Sequence, residues 1–165
     1  MSDDRIYNVL FLCTGNSARS ILADATLNHK GRGHFRAFSA GAHPTGTVNP
    51  HALALLERAG IPTDGLRSKG WEAFEQSDAP VFDFVFTVCD NAAGEVCPVW
   101  PGQPVSAHWG VPDPAAVDGD DAAKAHAFRD AFTLVQRRID LFTSLPFASL
   151  DRIAINEQVR DIGKA

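Results

Sequence analysis

Apolar residues fall along the chain in short blocks of two alternating kinds. Residues 6–12 (IYNVLFL) are almost continuously apolar, the pattern of a strand buried on both faces. Over residues 17–28, Ile21, Leu22, Ala25 and Leu27 recur at near-helical spacing until the sequence HKGRG breaks the run. Residues 35–40 (FRAFSA) predict a second strand, stopped by Gly41. Asn49-Pro50 opens a second helix, with proline at the favoured first helical position. Leu53, Leu55, Leu56 and Ala59 follow, and Gly60 is the expected stop.

The same alternation continues downstream. Residues 71–74 suit a helical turn, 84–88 (FVFTV) a third strand and 104–107 (PVSA) a weaker fourth. A long amphipathic helix is expected over 121–142, with Phe128, Phe132, Val135, Ile139 and Phe142 on one stripe. Residues 151–160 suit a short final helix. Strands alternating with helices imply an α/β fold: a single-domain, open, four-stranded, mainly parallel twisted sheet flanked by helices on both faces. In such sheets ligands bind beyond the carboxyl ends of the strands. Cys13 follows the first strand and Cys89 the third, so both are expected at that edge.

Composition narrows the classes further. At 165 residues, one domain buries enough apolar surface to stand without disulfides or metals. The net charge of −5 argues against non-specific nucleic-acid binding, so an anion site must be made locally positive. The sequence has no apolar run long enough for a membrane span, and its first residues are acidic, unlike a signal peptide. Three cysteines, Cys13, Cys89 and Cys97, form an odd, sparse set suited to a reducing cytoplasm.

The chemistry concentrates in CTGNSARS, residues 13–20, between the first strand and the first helix. Loop amides and a helix N-terminus there favour an anion. Gly15 supplies backbone freedom, and Arg19 can grip an oxyanion through two parallel hydrogen bonds. The same positive environment stabilises a thiolate at Cys13, aimed at the anion that its own loop holds. Ser20 can donate to the sulfur and Asn16 can pin the loop. Thr14, Gly15, Asn16, Ser17, Ala18, Arg19 and Ser20 thus form the expected oxyanion-binding loop. Neither a Walker loop nor a dinucleotide-binding glycine fingerprint is present.

This C-x5-R-S loop at the first strand–helix junction resembles that of the low-molecular-weight protein tyrosine phosphatases. The form CTGNSARS is similar to the arsenate reductases built on that fold. Ser39-Ala40-Gly41 and Val48-Asn49-Pro50 fit the same family. The resemblance implies a domain over residues 1–143, with 144–165 a C-terminal tail able to form a short helix. It also implies a general acid, Asp113, in the loop HWGVPDPA; the bland alternative is an ordinary Asp-Pro turn. His108 and Trp109 are read as packing. Asp118, Asp120 and Asp121 are read as a solvated turn and helix start, because most calcium-loop positions are missing.

Cys89 and Cys97 are superfluous to a phosphatase. The resemblance implies a thiol relay in which Cys13 attacks arsenate, Cys89 attacks the adduct and Cys97 resolves the Cys13–Cys89 disulfide. An external reductant, thioredoxin or glutathione with glutaredoxin, would reset the cycle, with no bound cofactor and no assigned metal; some relatives use the loop asparagine and an acidic residue of the first helix for a cation, positions that Asn16 and Asp24 fill here. Phosphate or sulfate would be analogues of the substrate. Ala18 stands where many relatives carry a cysteine before the arginine, so the resolving thiols must lie outside the loop. A zinc site with His108 is disfavoured, because the spacing is irregular and no C-x-x-C exists.

Three alternatives stay open. Cys89 and Cys97 can be ordinary buried residues. The chain can be a tyrosine phosphatase working through a cysteinyl-phosphate on Cys13, although those enzymes often place tyrosines beside the acid and the one tyrosine here, Tyr7, falls in the first strand. It can also be a non-catalytic anion-binding domain.

Overall fold

The computed structural model describes residues 5–74, 78–90 and 104–165. Its regular elements are β1 (Tyr7–Cys13), α1 (Arg19–Lys30), β2 (Phe35–Gly41), α2 (Pro50–Arg58), β3 (Phe84–Thr87), β4 (Val105–His108), α3 (Asp121–Thr143) and α4 (Arg152–Ile162). The strands form one sheet in the order β2-β1-β3-β4, with every pair parallel. This is the open α/β sheet that the alternating blocks predict.

Period-two side-chain alternation sorts β1 between two layers. Val9 and Phe11 pack with Ala23 and Leu27 of α1 and with Val135, Ile139 and Phe142 of α3. Leu10 and Leu12 point the other way, into a cluster with Phe82 and Val85 backed by Phe38, Trp71 and Phe74. The cover supplied by Trp71–Phe74 is a 3₁₀ turn. A further cluster joins Ile21 and Leu22 of α1, Ala52 and Leu56 of α2, and Phe128 and Phe132 of α3.

All five apolar residues expected on the α3 stripe are buried. Phe142 meets Phe84 and Phe86 edge-on, with centroids 5.1 and 5.2 Å apart. Such pairs contribute about 0.5–1.5 kcal/mol beyond their buried area. Arg138 lies on the same stripe and is also buried.

The tail is part of this core. Its helix α4, capped by the Asp151 carboxylate accepting from Ala154 N, buries Ile155, Val159 and Ile162 in the cluster that holds Val9 and Phe11. It lies against β4.

β2 ends at Gly41 as expected, and Gly41 closes its register by pairing with Cys13. A Cβ at Gly41 would stand 2.6 Å from the Thr14 carbonyl, so a side chain there would displace the loop that follows β1. Among the described residues, no helix is long and apolar enough to cross a membrane.

Candidate active site

Strand β1 delivers Cys13 as its last residue, and α1 begins at Arg19, two residues later than the apolar pattern suggests. The residue before α1, Ala18, has no side chain able to cap it. The first-turn amides of α1 are therefore not taken by a capping side chain, as an anion-binding terminus requires.

Four backbone contacts hold the loop from the chain that follows β2. Ala42 N donates to the Cys13 carbonyl (3.1 Å), His43 N to Thr14 (2.8 Å), Thr45 N to Gly15 (3.0 Å) and Asn49 N to Ser17 (2.9 Å). Asn49 also caps α2 by accepting from His51 N (2.9 Å). The motif Val48-Asn49-Pro50 thereby ties the start of α2 to the loop. Ser68 adds a bond from its hydroxyl to the Gly15 carbonyl (3.1 Å).

The left-handed residue of the loop is Asn16 (φ 45°), not Gly15. Asparagine tolerates that region better than other residues with a side chain, and here its amide fixes the conformation. Its Oδ1 accepts from Lys69 N (2.9 Å) and its Nδ2 donates to Ser20 Oγ (2.8 Å). Because that bond occupies a lone pair of Ser20, the serine hydroxyl proton is directed to its other neighbour, the Cys13 sulfur at 2.9 Å. Asn16 N donates to the same sulfur (3.1 Å). Two donors thus converge on Cys13 Sγ. Cys13 is buried and is a free thiol.

Arg19 is 4% exposed, and its guanidinium spans to the loop after β4. Nη1 donates to the Val111 carbonyl (3.1 Å), and Nη2 lies 3.8 Å from Asp113 Oδ2. The other Asp113 oxygen accepts from Ala115 N (3.0 Å), with Pro114 buried behind it. Asp113 does sit in an Asp-Pro turn, which fixes Oδ1 and leaves Oδ2 facing Arg19. Loop, guanidinium and carboxylate therefore meet at one sheet edge, although Asp113 lies 94 residues beyond Arg19.

Cys89 reaches the same edge. Leu12 pairs with Thr87, and Val88 N donates to the Leu12 carbonyl (2.8 Å), so Cys13 and Cys89 leave neighbouring strands at the same end. Cys89 is fully buried and disulfide-bonded. Cys97 lies outside the described residues.

Other candidates fall into place without chemistry. His108 Nδ1 is 2.8 Å from Thr87 Oγ1, and burial, helped by the charge of Arg138, holds the ring below its ordinary pKa. Trp109 is buried and stacked on Phe86 at 3.9 Å. Asp120 caps α3 by accepting from Ala123 N (2.9 Å), as a helix-start residue should. Tyr7 sits at the opposite end of β1, packed on Phe35, Phe84 and Phe147. It brings no ring to the acid loop.

Two residues support the loop from outside it, and of these only Lys69 escapes sequence reasoning. Asp24 of α1 is buried against β2, accepting from Ser39 Oγ (2.8 Å) and Asn28 Nδ2 (2.9 Å). Burial pushes its pKa up to about 6, against the opposing pull of those donors and the Lys69 ammonium. Burial likewise pulls Lys69 below its usual range. Asp24 was legible as the acidic residue of the first helix, between Ala23 and Ala25. Nothing local marks Lys69, whose backbone meets Asn16 across 53 residues.

The chain is similar to known proteins over most of its length. The profile of the low molecular weight phosphotyrosine protein phosphatase family matches residues 8–154, ending in the first turn of α4. Over 134 residues the chain is 34% identical to the arsenate reductase of Halalkalibacterium halodurans, covering 81% of this chain and 93% of that protein. A solved structure described as an arsenate reductase in the phosphate binding state superposes with a TM-score of 0.65 at 26% identity, over 84% of this chain and 97% of that one. A low molecular weight protein tyrosine phosphatase from T. tengcongensis, 19% identical, shares the fold with a TM-score of 0.57 over 81% of this chain and 95% of its own. The chain belongs to the low molecular weight phosphotyrosine protein phosphatase family.

Proposed function

We propose that this member of the family reduces arsenate to arsenite through a relay of three thiols. Arsenate enters the loop of residues 13–20, where the α1 amides and Arg19 balance its charge. Cys13 Sγ attacks arsenic as the arsenic–oxygen bond opposite breaks. Asp113 protonates the departing oxygen, which leaves as water. The product is a covalent Cys13–arsenate adduct.

Cys89 then attacks the Cys13 sulfur. The sulfur–arsenic electron pair passes to arsenic, which leaves as arsenite in the +3 state, and a Cys13–Cys89 disulfide forms. Cys97 attacks Cys89, restoring the Cys13 thiolate and leaving a Cys89–Cys97 disulfide. An external dithiol, thioredoxin or the glutathione–glutaredoxin pair, reduces that disulfide. Each turn converts one arsenate and two thiols into arsenite, a disulfide and water.

The observation that carries this reading is the state of the thiols at one sheet edge. Cys13 is free beneath two converging donors, while Cys89, leaving the neighbouring strand, is disulfide-bonded. That is the thiol state in which a completed relay leaves these two residues. A phosphatase requires no second thiol there. The remoteness of Tyr7 from the acid loop also favours the small oxyanion over a phosphotyrosine ring.

The test is arsenite production from arsenate with thioredoxin and, separately, with glutathione plus glutaredoxin. One of the two systems is expected to sustain turnover. Failure of both, together with efficient hydrolysis of phosphotyrosine peptides, would assign the chain to the phosphatases instead.

A further inference from the structure

The segment that carries Asp113 is gripped from two sides, and only one grip belongs to the anion loop. Arg19 holds the Val111 carbonyl from above. From the far side, Arg138 of α3 donates through Nη1 to the Gly110 carbonyl (2.9 Å) and through Nη2 to the Gly163 carbonyl at the end of α4 (3.1 Å). Trp109 Nε1 donates to the Val159 carbonyl in the last turn of α4 (2.8 Å). Besides the backbone bonds of Trp109 N to Thr87 and Val111 N to Val88, residues 109, 110 and 111 thus each have a polar group held, by α4, by Arg138 and by Arg19 in turn.

We propose that Arg138 and the C-terminal helix α4 form a brace that positions Asp113 over the anion loop. The proposal rests on the reading of Asp113 as the proton donor.

The contacts are too close to be incidental cover. A Cβ at Gly163 would stand 2.3 Å from the His108 carbonyl and 2.9 Å from the Trp109 ring, so the end of α4 packs backbone against the strand–loop junction. Gly110 is equally confined, its Cβ position 2.7 Å from His108 Nε2 and 3.2 Å from the Cys89 carbonyl. Arg138 is 6% exposed, and burial pulls its guanidinium below the usual range. Among the described residues it forms no salt bridge with a carboxylate, and its Nη atoms bind two carbonyls, one on the acid segment and one on the tail. A planar fork of fixed donors suits that bridging, since it sets distance and angle together. Most of α4 lies beyond the matched residues 8–154, whereas Trp109, Gly110 and Arg138 lie within them. The effect of the brace would fall on the chemical step, because it touches the acid segment and not the loop that binds the anion.

The experiment compares Arg138→Met, Arg138→Lys, Gly163→Ala and Asp113→Asn, with the double variant Arg138→Met/Asp113→Asn, well below their melting temperatures. The readouts are the single-turnover rate of Cys13 modification by arsenate and the inhibition constant of inorganic phosphate. A displaced catalytic group costs roughly tenfold to a hundredfold in rate. Arg138→Met and Gly163→Ala should lose about that much while phosphate inhibition holds steady. Arg138→Lys should recover part of it, and Arg138→Met should cost little more once Asp113 is asparagine. Wild-type rates in folded Arg138→Met and Gly163→Ala, or losses that multiply with that of Asp113→Asn, would overturn the brace. Should Arg138→Met not fold, Gly163→Ala carries the comparison alone. If arsenate leaves Cys13 of the reduced wild type as a free thiol, the reductase reading fails, and the same cycle is read from hydrolysis of phenyl phosphate, whose poor leaving group needs the acid.

Discussion

Replacing Asp24 with asparagine should make the protein more stable at neutral and alkaline pH. Asp24 is 7% exposed, and burial is the main cause of its raised pKa, from 3.8 to about 6. A folded-state pKa above the unfolded value means that the native protein binds more protons between those two values. Stability then falls as pH rises through that window, and the loss is complete above the folded pKa. A shift of about two pKa units corresponds to about 3 kcal/mol. Asparagine removes that loss while keeping the geometry. Its Oδ1 can still accept from Asn28, whose orientation is pinned by the backbone of Ala37, and its amide can donate to Ser39 Oγ.

The assay is urea or thermal unfolding of both proteins from about pH 4 to pH 8. The difference should be near zero at the acid end, grow through about pH 6 and level off at up to about 3 kcal/mol. In melting temperature that is up to roughly 6–12 °C. A gap that does not change with pH, or an asparagine variant less stable than the wild type at pH 8, would refute the reasoning.

Two further variants probe the loop. Gly41→Ala forces a Cβ to 2.6 Å from the Thr14 carbonyl and 3.0 Å from Asn16 N, and should cost about 1–3 kcal/mol of stability by denaturant titration, with weaker phosphate binding by calorimetry. Arg19→Lys keeps the charge but loses the paired donors and the hold on Val111, and should lower the single-turnover rate roughly 10²–10³-fold, read as loss of the free Cys13 thiol.

Much of the fold was legible because burial writes itself into period. Strands β1 and β3 are nearly continuous apolar runs, and α3 announced its stripe from Phe128 to Phe142. The thiol, the arginine and the helix start were legible too, since the loop is contiguous in sequence. What the sequence hid is long-range or conformational. Gly15 looked like the flexible point, yet the left-handed position went to Asn16, whose amide bonds Lys69 N and Ser20. Gly41 ends its strand as expected, but its small size also serves the close approach of Thr14.

Arg138 did leave a trace. It falls between Val135 and Phe142 on the apolar stripe of α3, where a charge is expected only if something buried needs it. What it binds, the Gly110 and Gly163 carbonyls, depends on how β4 and α4 come together, and no local pattern encodes that.

The relay stands or falls on Cys89→Ser mixed with arsenate and excess reductant. The account predicts that Cys13 takes up one arsenate, visible as a persistent adduct by intact mass, and that no arsenite is released. Undiminished multiple turnover by Cys89→Ser would contradict it.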